Sequence, residues 1–117
     1  MIINILCRLG ITANYDGFYQ TVYAVKLAVD KPERLQSVTN CIYPEVAAKY
    51  NTSPDNVRKN ISKICSLVWE RNPQLLSDMA MHELKKKPGT CEFLAIFAVS
   101  VICNHPDGFH ATATQLG

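Results

Sequence analysis

The sequence lacks most features that mark an enzyme, a disulfide scaffold or a membrane protein. Its five cysteines (Cys7, Cys41, Cys65, Cys91, Cys103) include no C-x-x-C pair. An odd number of thiols with no such pair excludes the usual disulfide frameworks and zinc ribbons. Glycine is scarce, five residues in 117, and none clusters into a phosphate-cradling loop. No serine or cysteine lies in a nucleophile motif, and Asp30, Glu33, Asp78 and Glu83 form no close carboxylate pair. His82 reads as a surface or core-edge residue. The chain is therefore expected not to be an enzyme. The longest largely apolar run, FLAIFAVSVIC, is about half the length that spans a bilayer, so it reads as a buried helix or a dimer face and no membrane partner is expected. The opening MIINILCRLG has neither a basic n-region nor a small-residue cleavage site. These features predict a cytoplasmic protein, with Cys41, Cys65 and Cys91 as buried free thiols in apolar helical contexts. Cys103, His105 and His110 fit no common zinc spacing, and no metal or cofactor is expected.

Charge of one sign is also missing overall, since the net charge is only +2. Its distribution is uneven. Residues 42–71 hold five basic side chains (Lys49, Arg58, Lys59, Lys63, Arg71) against three acidic ones (Glu45, Asp55, Glu70), and the rest of the chain balances. Hydrophobic residues make up 48% and charged residues 19%, as in a folded globular chain. The length suits one domain, residues 1–117, with a core over about 9–103 and a loose tail over 104–117.

No strand pattern of useful length appears, and the fold class is all-α with six helices. Phe18, Val22, Val25 and Val29 recur at helical spacing in the first helix, about 18–29. Pro32, Pro44, Pro54 and Pro73 each suit the first turn of a helix. They start helices over about 32–41, 43–49, 54–71 and 73–81, and a sixth covers 91–103. Between the third and fourth lies the tight corner Y-N-T-S-P-D. There Ser53 or Thr52 is the N-cap, and Asp55 suits the positive helix N-terminus.

In the fourth helix, Val57, Ile61, Ile64, Cys65 and Val68 form one apolar stripe. At about 100° per residue, Asp55, Lys59, Ser62, Lys63 and Ser66 lie opposite it, with Asn56 and Arg58 on the flanks. A basic, hydrogen-bonding face at the front of a helix suits a DNA major groove, where Arg and Lys meet phosphates and guanine and Asn meets adenine. The preceding short helix and corner complete a helix-turn-helix. The candidate DNA-contacting residues are Ser53, Asp55, Asn56, Arg58, Lys59, Ser62 and Lys63. The run Lys85-Lys86-Lys87 reads as a solvated link that can add phosphate contacts.

The stretch YPEVAAKYNTSPDNVRKNISKICSLVW resembles the helix-turn-helix of the effector domain of the sporulation master regulator family, stage-zero sporulation protein A of endospore-forming bacteria. LGITANYDGF, with Gly10, Ala13, Gly17 and Phe18, and CEFLAIFA extend the likeness over about 9–102. The resemblance implies a six-helix transcription factor whose fourth helix reads the major groove of double-stranded DNA. It further implies a homodimer on tandem sites, and a surface for RNA polymerase sigma factor at about 70–85. In family members the effector follows a phosphoacceptor receiver domain; this chain is expected to have none. Where the typical member has S-R-V-E-R-A-I-R-H, residues 55–63 read D-N-V-R-K-N-I-S-K. Val57 and Ile61 match, but the base-reading positions fall on Asn56, Arg58, Lys59, Ser62 and Lys63, and none is identical. The leading reading is a sequence-specific DNA-binding regulator. Its rival is a receiverless interaction module that pairs with a full-length regulator or sigma factor without binding DNA.

Overall fold

In the computed structural model, which describes residues 2–103, every regular element is helical. The α-helices are α1 (Ile2–Arg8), α2 (Phe18–Asp30), α3 (Val38–Cys41), α4 (Tyr43–Tyr50), α5 (Pro54–Arg71), α6 (Pro73–Ala80) and α7 (Thr90–Cys103), with a 3-10 helix over Pro32–Ser37. The described residues thus hold seven α-helices rather than six, and none is long and apolar enough to cross a membrane.

The added helix is α1. Its Leu6, with Leu9 and Ile11 just beyond it, is fully buried, and the helix packs on α2. Seven residues are too few for an isolated helix to hold in water, so this tertiary burial is what stabilises it. The helix expected over 32–41 is divided. Pro32 opens a 3-10 segment with no buried residue, and only Val38 of the short α3 reaches the core.

The core forms where α2, α5 and α7 meet. Helix α7 brings Phe93, Leu94, Phe97 and Ala98, all fully buried, and the two phenyl rings meet edge to face at 6.1 Å. Removing one such ring from water is worth about 1.5–3 kcal/mol. The apolar run of the sequence is therefore a core helix, with Val99 on its exposed side. Helix α5 brings Val57, Ile61, Ile64, Cys65 and Val68, the stripe expected from their spacing. Trp69 is only half-buried at its edge.

The expectation of buried thiols holds for Cys65 alone. Cys41 and Cys91 are exposed, as are Cys7 and Cys103. Cys41 ends α3 just before Ile42, which takes the inward position, and Cys91 lies in the first turn of α7, ahead of Phe93 and Leu94, which face the core. One buried stripe leaves its sequence neighbours pointing outward, however apolar the surrounding run. His105, His110 and the expected loose tail, 104–117, lie outside the described residues.

Candidate nucleic-acid interface

The corner between α4 and α5 is built from three local devices. Asn51 closes α4 in the left-handed region (φ 54°), a conformation asparagine tolerates better than most residues. The Thr52 amide then donates to the Ala47 carbonyl at 2.9 Å. Ser53 is extended and caps α5, its hydroxyl accepting from the Asn56 amide at 3.1 Å. Pro54 follows in the first turn, where its missing N–H costs nothing. Of the two candidate caps, Ser53 takes the role. Thr52 instead accepts from the Asn56 side chain at 3.1 Å, which draws that amide toward the corner.

The core stripe of α5 presents the opposite face to solvent, and that face carries the charges. Asp55, Asn56, Arg58, Lys59 and Lys63 are exposed. Asp55 holds two cations at once. Its Oδ1 accepts from Arg58 Nη2 at 2.8 Å and Nε at 3.3 Å, and its Oδ2 lies 3.2 Å from Lys59 Nζ. Hydrogen bonds from Arg58 and then Lys59 hold the Asp55 carboxyl below the usual carboxylate range, and the same partner raises Arg58. Lys63 makes no hydrogen bond or ion pair among the described residues and leaves its charge unneutralised.

Ser62 and Ser66 are half-buried, less open than their helical positions alone suggest. The link between α6 and α7 runs along that side of α5. Lys87 Nζ donates to Ser66 Oγ at 2.9 Å, and the Cys65 thiol donates to the Pro88 carbonyl at 3.4 Å. Lys87 is thereby brought beside the α5 face while remaining exposed. Sequence distance concealed this pairing; the run of three lysines was its only signal.

The two flanks of α5 are fixed by different means. On one, Gly17 lies so close that a Cβ there would be 2.5 Å from the Asn60 carbonyl oxygen, and the Asn60 side chain donates to Gln20 at 3.1 Å. Arg71, counted among the basic residues of the segment, is exposed but committed to other partners. It donates to the Gly10 carbonyl and the Tyr15 hydroxyl, both at 2.6 Å, and lies over the Tyr15 ring. On the other flank, burial first and the Cys91 thiol second push the Tyr43 phenol up to about 12. Burial likewise pushes the Cys65 thiol up to about 11. Lys49, on α4, lies over the rings of Tyr23 and Tyr50, at 5.0 and 5.9 Å from their centroids.

Among the described residues no three His, Cys, Asp or Glu side chains gather as a metal site would require. What the surface offers is a capped helix, exposed lysines and an arginine, and amide and hydroxyl groups between them. One protein-family model, described as the sporulation initiation factor Spo0A C terminal, matches residues 2–101.

Proposed function

Because the chain belongs to the family of Spo0A C-terminal domains, which are DNA-binding regulatory domains and not enzymes, we propose that it is a sequence-specific DNA-binding transcriptional regulator. In this reading α4, the corner and α5 form a helix-turn-helix, and the front of α5 enters the major groove. The observation that carries the proposal is the face of α5 opposite its core stripe. Its front end is capped by Ser53, and exposed Lys59 and Lys63 project from it. Ser53, Asp55, Asn56, Arg58, Lys59, Ser62 and Lys63 are the contact residues. Lys87, docked on Ser66, adds a phosphate contact beside them.

The domain acts in the cytoplasm and pairs with a second copy on adjacent sites, where the first bound copy raises the effective concentration of the second. RNA polymerase sigma factor meets the region 70–85. Support for that surface comes from Met81, a left-handed cap at the end of α6 that is 86% exposed. The test is selection of bound sequences from random duplex DNA by the full chain. Enrichment of a defined motif is the expected result. Recovery of unenriched sequence would sink sequence-specific binding.

A further inference from the structure

Arg58 and Lys63 stand on the same helix in different electrostatic states. Among the described residues Lys63 has no acidic partner, so a phosphate meets an unopposed charge there. Arg58 has Asp55 against it, and a carboxylate beside a guanidinium repels an approaching phosphate. The pair is therefore poorly suited to the DNA backbone and better suited to a base edge.

The atoms that join the pair say which base. Arg58 uses its side edge, Nε and Nη2, and both donate to Asp55 Oδ1. Its end edge, Nη1 and the second N–H of Nη2, makes no hydrogen bond among the described residues. Two parallel donors on that edge match the O6 and N7 acceptors of guanine in the major groove. Asp55 is itself anchored in the first turn of α5, just after Pro54, and its second oxygen is taken by Lys59. Asp55 thus occupies the side edge and leaves the end edge without a hydrogen bond among the described residues, on a side chain that is 50% exposed.

We propose that Asp55 is a positioning residue that presents the end edge of Arg58 to a guanine, so that the Asp55–Arg58 pair sets base preference at one position of the DNA site. This rests on the DNA-binding reading above. Arg58 touches the base; Asp55 acts through Arg58.

The experiment measures relative affinities of the full chain for a selected duplex and for its single-base variants. Wild type is compared with Asp55→Ala, Asp55→Asn, Arg58→Ala and the double variant Asp55→Ala/Arg58→Ala. Circular dichroism establishes that each variant is folded. Wild type should prefer guanine at one position by about tenfold or more. Arg58→Ala and Asp55→Ala should each remove that preference at the same position and leave the other positions unchanged. The double variant should lose no more than either single variant. A merely structural role for Asp55, through the helix N-terminus, would lower thermal stability without moving base preference. Retention of the guanine preference in both folded Asp55 variants would overturn the proposal, as would a wild-type guanine preference untouched by Arg58→Ala. If wild type binds no duplex at any salt concentration, the DNA-binding reading itself falls and takes this proposal with it. That outcome is distinguishable because it is seen before any variant is compared.

Discussion

Replacing Gly17 by alanine probes how α5 is set against the rest of the domain. Gly17 precedes α2 with φ −85° and ψ 1°, a conformation open to any residue, so backbone strain plays no part. The cost is steric. A Cβ at this position would meet the Asn60 carbonyl oxygen at 2.5 Å, its carbon at 2.9 Å and Ile64 Cγ1 at 2.9 Å. Ordinary contact begins near 3.4 Å, so the start of α2 and the middle of α5 must separate by about 0.9 Å. Ile64 is 1% exposed and cannot swing into solvent, and the Asn60 carbonyl belongs to the helix backbone. The shift would also loosen the bond between Asn60 and Gln20. Overpacking of this kind costs about 1–3 kcal/mol, and backbone involvement places Gly17→Ala near the top of that range. The reduced freedom of the unfolded chain returns only about 0.4–1 kcal/mol. Urea denaturation of wild type and variant measures the difference. Gly89→Ala, where an added Cβ meets nothing within 4 Å, is the control and should change stability by less than about 1 kcal/mol. A loss at Gly17 below about 0.5 kcal/mol would refute the close approach of α2 to α5, since surface changes alone produce shifts of that size.

Ile61, fully buried in the α5 stripe, should lose about 2–5 kcal/mol on truncation to alanine, read from the same denaturation curves. Stability should also fall at alkaline pH. The folded state keeps the Tyr43 proton up to about 12 while the unfolded chain releases it near 10.0, and Cys65 behaves likewise between 9.0 and about 11. The unfolded state therefore binds fewer protons in this window, and stability drops as pH rises. Each group contributes about 1.4 kcal/mol per pH unit between its two values. Tyr43→Phe should flatten the upper part of the decline, and an unchanged profile would remove Tyr43 as its source. The family's usual DNA box should be bound only slightly better than scrambled duplex, because Arg58, Lys59 and Ser62 do not reproduce the family's base-reading groups. Competition at physiological salt checks this, and a thousandfold preference would contradict it.

The elements that could be read from sequence were those with a strong local signal. The α5 stripe at Val57, Ile61, Ile64, Cys65 and Val68 follows from periodicity, and its boundaries from Ser53, Pro54 and Pro73. Helix α1 is not legible because a seven-residue, isoleucine-rich segment has little helical signal of its own; burial of Leu6 makes it a helix. The 3-10 segment is not separable from an α-helix in the sequence because Pro32 opens both kinds of turn equally well. On the candidate interface, the outward positions of Asp55, Lys59 and Lys63 are legible from the wheel, but the partial burial of Ser62 and Ser66 and the mutual attachments of the face are not. Arg71 counts toward the basic charge of segment 42–71, but its bonds to Gly10 and Tyr15 place it at the α1–α2 connection. Lys87 gained a place beside the face through Ser66, 21 residues away. Helical spacing brings Asp55 within reach of both Arg58 and Lys59, but the spacing alone does not say which edge of the arginine the carboxylate occupies.

The central claim, that the exposed face of α5 meets DNA, is tested most directly by the salt dependence of duplex binding. Affinity for a selected duplex is measured across a range of salt concentrations for wild type and for Lys59→Ala/Lys63→Ala. Both lysines are exposed, so the variant should keep the wild-type fold. Wild-type log affinity should fall linearly with log salt, and each phosphate contact contributes a slope of about −0.9. The double variant should bind more weakly, with a slope shallower by about one unit for Lys63 and by less for Lys59, whose charge Asp55 already opposes. Identical affinity and slope in the two proteins would remove this helix face from the interface.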